Sequence, residues 1–250
     1  MLKREIAHIF PIFMFVNLVQ LKQISQGIIH LFYPRLCEGC SKPLIAGEEV
    51  LCISCAVELP ETNYHNIADN ETALRFAGRI PFQHATTLAY FTNDGLLQHL
   101  LHGLKYKGKK EIGFYLGRRL GLQLRNTEWI ASIDQILPVP LHIKKQHSRG
   151  FNQSAMIAQG ISSVTNLPVT EGILTRVRNT ETQTHKTRTE RVNNMEGAFT
   201  VYQPGTITNK HILLCDDVLT TGATLEACAL ALLDEKGVKI SIASIGIAVS

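Results

Sequence analysis

The run HILLCDDVLTTGATLEACALALL, residues 211–233, constrains the fold of this 250-residue chain more than any other segment. Its first five residues, 211–215, are a short apolar run of the kind that makes a parallel strand buried on both faces. Two adjacent acids follow, Asp216 and Asp217, and then Thr220, Thr221, Gly222, Ala223 and Thr224. Leu225, Ala229, Leu232 and Leu233 recur at helical spacing, so the order is strand, turn, helix. Strands that alternate with helices in this way assemble an open parallel sheet, with its ligand at the carboxyl ends of the strands.

The chemistry of the turn narrows what that ligand is. A hydroxyl-rich loop feeding a helix N-terminus is an anion site, because free backbone N–H groups and the positive end of the helix dipole converge there. Thr220, Thr221 and Thr224 add hydroxyl donors, and Gly222 admits a close backbone approach. Asp216 and Asp217 repel a phosphate, but they accept from the paired hydroxyls of a sugar or help hold a divalent cation. A ribose carrying a 5′-phosphate satisfies both halves. The plainer reading, one Asp capping a helix beside threonines that turn the chain, accounts for one acid and not for two.

The remaining periodicities supply an element map. Strands are expected at residues 86–92, 136–139, 172–177, 198–201 and 239–249, beside 211–215. The strand at 136–139, confined by Pro138 and Pro140, reads as the first of the core. Helices are expected over 95–104, through Leu116, Leu120 and Leu124, and through Ala155, Ile157 and Ala158. Residues 60–79 are polar and aperiodic, which suggests a linker.

Six cysteines are present, and four of them, Cys37, Cys40, Cys52 and Cys55, form two CxxC pairs eleven residues apart. The gap is short for a zinc site, yet two such knuckles can meet around one ion. Four thiolates leave no open position, so the expected role is structural Zn2+ binding rather than catalysis. A redox pair would not occur in duplicate. Cys215 and Cys228 lie in apolar runs and read as core.

The formal charge is +4, unevenly spread. Residues 101–150 carry ten Lys and Arg against three acids, which favours a polyanion: a phosphorylated substrate or a nucleic-acid backbone. Near the start, Lys3 and Arg4 precede an apolar stretch over residues 6–21. It contains Pro11, Asn17 and Gln20 and is short for a membrane span. A peripheral membrane helix, a partner-docking helix and residues upstream of the true start all remain open. A cytoplasmic location is expected, because reduced thiols belong there.

The string DDVLTTGAT resembles the phosphoribosyl-pyrophosphate (PRPP) signature of type I phosphoribosyltransferases. LFYPRLCEGC, LHGLKYKGKKEIGFYLG, LPVPLHIKKQHSRGFNQSAMIA and RVRNTETQTHKTRTERVNNMEGAF narrow the resemblance to the ComF/GntX-like family, over about residues 31–250. That family joins a transferase domain to an N-terminal zinc ribbon and is associated with competence and the use of external DNA. The resemblance implies an α/β type I phosphoribosyltransferase fold, an open parallel sheet with flanking helices and a hood. The expected division is an extension at 1–30, the ribbon at 31–60, the linker at 61–85 and the transferase domain at 86–250.

It also implies roles. PRPP would be held by Asp216, Asp217 and the loop from Thr220 through Thr221, Gly222, Ala223 and Thr224, with Mg2+ as its companion ion. Leu141, His142, Lys144, Lys145 and Arg149 would grip pyrophosphate. Gln183, Lys186 and Arg188 would lie on a mobile loop that closes over the site, with Arg191 and Asn193 at its exit. The implied function is Mg2+-dependent PRPP binding linked to DNA uptake or utilisation, with transfer of phosphoribose to an unnamed acceptor and release of pyrophosphate. The alternative is a non-catalytic module that senses PRPP or handles single-stranded DNA or DNA-processing proteins. In that case the ribbon and Lys105, Lys107, Lys109 and Lys110 would form the contact surface.

Overall fold

A computed structural model describes residues 34–141, 148–176 and 198–249. Two cysteine-bearing turns lead into a short helix, α1 (Ile53–Glu58). Residues 61–85, expected as a linker, instead hold a 3₁₀ turn at Tyr64–Asn66 and the helix α2 (Glu71–Phe76). Asn70 caps α2 by accepting from the Ala73 N–H at 3.0 Å, and its amide donates to the Ala85 carbonyl at 2.7 Å. Thr62, Tyr64, Asn70, Thr72 and Phe76 are buried. The Thr72 and Thr87 hydroxyls meet at 2.8 Å, and Thr87 reaches Ser244 at 2.6 Å. The composition of a loop is thus hydrogen-bonded inside the fold, which is why no apolar period announced it.

The chain continues through β1 (Ala85–Phe91), α3 (Leu96–Tyr106), α4 (Lys110–Leu124), β2 (Gln135–Pro138) and α5 (Gln153–Thr165). After the short strands β3 (Leu174–Arg176) and β4 (Phe199–Val201) come β5 (His211–Leu219), α6 (Ala223–Leu233) and β6 (Lys239–Ala248). The main sheet is parallel throughout, in the order β1-β6-β5-β2. A parallel bridge between Ile136 and Val169 continues it beyond β2.

Two expectations about the strands change. β3 and β4 pair antiparallel as a separate ribbon. Each has three residues and only one buried side chain, so neither has the two apolar faces that a central parallel strand requires. The strand at 136–139 is not the first of the sheet either, because β1 already pairs with β6. Residues 85–124 thus contribute an edge strand, with α3 and α4 on one face.

The topology positions the site. From β2 the crossover through α5 runs outward to Val169, whereas from β5 the crossover through α6 runs the other way, to β6. Right-handed crossovers in opposite directions place their helices on opposite faces. Accordingly Ile157, Ala158 and Ile161 of α5 pack with Leu213, whereas Leu225, Cys228 and Leu232 of α6 pack with Ile212 and Leu214. The crevice between β2 and β5 is the topological switch point, the usual ligand position in an open α/β sheet. α5 is held there by backbone contact with α4. A Cβ on Gly117 would lie 2.1 Å from the Ile157 carbonyl oxygen, so no larger residue fits at that crossing.

Candidate functional site

β5 runs four residues further than its apolar stretch suggests. It stays paired to β6 through Leu219, while its pairing with β2 ends at Cys215. Asp216 and Asp217 therefore emerge beside an open strand edge at the switch point. Asp216 accepts from the Ser154 hydroxyl and from the Asp217 N–H, both at 2.9 Å. Asp217 pairs with Lys105 of α3 at 2.8 Å. Burial, then the charge of Asp217, push the Asp216 carboxyl from 3.8 up to about 7, against hydrogen bonds from Asp217 and Ser154 and the charge of Lys105.

That raised value has a sign. The folded state holds the Asp216 proton more tightly than the unfolded chain, so the stability it contributes is complete below about pH 4 and is lost as pH rises through about 7. Asp216→Asn keeps an oxygen to accept from Ser154 and removes the half-buried charge. Its melting temperature is expected to exceed the wild-type value by roughly 3–6 °C at pH 8, with a smaller gain at pH 5. Thermal unfolding at the two pH values checks this, and an equal or opposite difference would contradict the assignment.

Residues 220–224 fold around a cup of about 30 Å³ with Asp216 at its edge. Gly222 precedes α6 with φ +80°, a conformation that favours glycine, and a Cβ there would stand 3.0 Å from the Phe76 ring. Two arginines that sequence reading missed brace this loop from α2 and the turn after it. Arg75 donates to the Thr220 carbonyl at 2.7 Å and to the Ala248 carbonyl at 2.9 Å. Arg79 donates to the Thr221 carbonyl at 2.9 Å and pairs with Glu226 of α6. In a trans peptide the C=O and N–H point in opposite directions. Carbonyls held toward the arginines therefore turn the N–H groups of Thr221 and Gly222 away from them, as an anion cradle requires. No local signal could have disclosed this, because about 140 residues separate the partners, as in the spacing of 142 for Arg79 and Thr221.

The other expected residues divide. Leu141 lines a cavity of about 350 Å³ between the end of β2 and Arg176 of β3. Arg149 donates to the Gln153 side chain at 2.8 Å and lies over the Tyr106 ring, so the structure gives it an intramolecular partner. Asn152 caps α5 by accepting from Ser154 N–H and donates to the Val139 carbonyl at 3.0 Å, which ties the start of α5 to the end of β2. His142, Lys144, Lys145, Gln183, Lys186 and Arg188 lie outside the described residues, as do Arg191 and Asn193. The basic run is split: Lys105 pairs with Asp217, Lys109 with Glu38, Lys110 lies over the Phe151 ring, and Lys107 is exposed.

The sulfur atoms of Cys37, Cys40, Cys52 and Cys55 lie within 4.8 Å of one another. Cys40 and Cys52 stand 3.7 Å apart, near the edge of about 3.8 Å expected for a tetrahedron of Zn–S bonds. The Cys37 sulfur also accepts from the N–H groups of Gly39 and Cys52, as a thiolate ligand does. The donor set fits a structural zinc. Among the described residues, no helix is long and apolar enough to cross a membrane.

Residues 152–250 match the phosphoribosyl transferase domain family. The chain is 30% identical over 223 residues to the DNA utilization protein YhgH of Escherichia coli, covering 81% of this chain and 92% of that protein. It is 27% identical over 206 residues to competence protein F of Haemophilus influenzae, covering 80% and 85% of the two chains. Over 162 residues it is 36% identical to competence protein ComFC of Bacillus subtilis, covering 62% and 60%. A four-cysteine cluster, a parallel sheet with helices on both faces and these relatives agree: the chain belongs to the ComF-like family.

Proposed function

We propose that this chain binds PRPP with Mg2+ at the switch point and transfers its phosphoribosyl group to an acceptor, in a role linked to DNA uptake or utilisation. One observation carries the reading. A loop whose peptide carbonyls are held by Arg75 and Arg79 forms a cup with Asp216 at its edge, and Asp217 follows Asp216 on the strand, paired with Lys105. The 5′-phosphate sits in the cup over the start of α6, where N–H groups and the helix dipole meet it. Asp216 and Asp217 accept from the ribose hydroxyls, and Asp217 exchanges Lys105 for that contact.

A nucleophile then attacks the anomeric carbon as pyrophosphate leaves. The two carboxylates stabilise the positive charge that develops on the sugar. Bound Mg2+, which Asp216 and Asp217 would help hold, would supply charge neutralisation for the departing pyrophosphate. Because Asp216 must be ionised to accept from both hydroxyls and neighbours, binding strengthens as pH rises through about 7. Titration calorimetry with PRPP and Mg2+ is expected to show affinity reduced at least 100-fold in the Asp216→Asn, Asp217→Asn double variant, and undiminished binding would defeat the proposal.

A PRPP-sensing role without turnover draws on a different observation: Lys105 already neutralises Asp217, so PRPP binding would release α3 from the site. Pyrophosphate release in a metabolite extract decides for the enzyme. A DNA-handling surface built on the lysine run is less favoured, because Lys105 and Lys109 are engaged by carboxylates of the same chain.

A further inference from the structure

At the opposite edge of the sheet from the acid pair, a cavity of about 460 Å³ opens where the start of β1 meets the 3₁₀ turns at Tyr64–Asn66 and Trp129–Ser132. Its size falls within the range of small-molecule sites. Its aromatic wall is the His84–Trp129 pair, stacked with ring centroids 4.7 Å apart and planes 11° from parallel. The indole is held in place by donating from Nε1 to the His65 carbonyl at 3.2 Å. Burial lowers the His84 pKa, so this imidazole stays neutral at pH 7 and offers a flat face rather than a charge.

The polar lining is as selective. Asn66, Gln83, Asn126 and Glu128 border the cavity, are exposed, and make no side-chain hydrogen bond or ion pair with other described residues. The lining contains neither Lys nor Arg. Three carboxamides and one carboxylate beside a stacked aromatic pair suit a flat ring with a polar edge. Carboxamides match the paired donor and acceptor of an adenine edge, and a carboxylate accepts from the amino group of cytosine. With no cation in the wall, nothing rewards a phosphate.

We propose that this cavity binds an unphosphorylated, amino-bearing nucleobase, its ring set against the His84–Trp129 pair and its edge met by Asn126 and Glu128. The base comes either as a free base or nucleoside, or as an unpaired base of a polynucleotide strand. The site is separate from the PRPP proposal and stands without it.

Trp129 is the chain's single tryptophan, so its fluorescence reports directly on the cavity. The full chain is titrated with adenine, adenosine, cytidine, adenosine 5′-monophosphate and short unpaired oligonucleotides of adenine and of cytosine. Saturable quenching is expected, with adenosine 5′-monophosphate binding no tighter than adenosine. Glu128→Gln and Asn126→Ala change exposed side chains, so both should fold, and each should weaken its preferred base at least tenfold while PRPP calorimetry is unchanged. Quenching by free bases or nucleosides assigns a free ligand, and quenching by oligonucleotides alone, with little salt dependence, assigns a base in a strand. Absence of saturable quenching by every compound, quenching indifferent to both variants, or tenfold tighter binding of the monophosphate would overturn the proposal.

Discussion

Replacing Arg75 and Arg79 together by alanine is expected to lower PRPP affinity at least 100-fold while the protein remains folded. The two guanidinium groups hold the Thr220, Thr221 and Ala248 carbonyls, and Arg79 also binds Glu226 in the first turn of α6. Hydrogen bonds to a charged group contribute about 1.5–3 kcal/mol each, and about 1.4 kcal/mol is tenfold in affinity. Losing even two of these restraints frees the peptide groups that must point at the phosphate. The core of the sheet does not depend on them, because β5, β6 and α6 are packed by Leu214, Ile242, Leu225 and Leu232. Arg79→Lys should rescue poorly, since one ammonium cannot span the carbonyls and carboxylate that a guanidinium fork reaches. Calorimetry with PRPP and Mg2+, beside circular dichroism, gives the answer. Wild-type affinity in a folded double variant would remove the arginines from the site.

Stripping the metal from the four cysteines is expected to lower the melting temperature of the whole chain by at least 10 °C, rather than to release a small independent ribbon. Cys37, Val50, Leu51, Cys55 and Leu59 belong to one apolar cluster with Leu97, Leu100, Leu101 and Leu116 of α3 and α4. Ion pairs join the same parts: Lys109 with Glu38, Arg118 with Glu49, and Arg119 with Glu61. Structural zinc contributes on the order of 10–16 kcal/mol to folding small domains. Here the loss spreads into α3, which carries Lys105 to Asp217, so PRPP binding should weaken as well. Thermal unfolding before and after chelation, with zinc content measured, tests this. An unchanged transition in metal-free protein would show that the ribbon is an appendage.

Much of the architecture was legible because it is written in short-range chemistry. Leu97, Leu100, Leu101 and Leu104 repeat at helical spacing and form the buried face of α3. The apolar runs at 211–215 and 239–249 became adjacent parallel strands for the same reason, since a strand buried on both faces must be apolar on both. The acid pair, TTGAT and the paired CxxC motifs were visible as local spacing; Asp216 and TTGAT line one cup, and the four cysteines form one cluster.

Other features depend on partners far away in the chain, and those the sequence could not disclose. Thr62, Asn70 and Thr72 look like linker residues until their hydrogen bonds to the β1 strand bury them. The β3–β4 ribbon looked like two core strands, because runs as short as LTR and FTV do not reveal which neighbour they will find. Neither Arg75 nor Arg79 carries a local mark of its role, and Lys105 looked like part of a polyanion surface until folding set it against Asp217. By itself the sequence determined the secondary-structure periods, the paired CxxC motifs and the acid- and hydroxyl-rich turn at 216–224, all of which act over a few residues. Tertiary structure alone decided which peptide groups the loop presents and which carboxylates already have partners, because those depend on side chains brought together from distant parts of the chain.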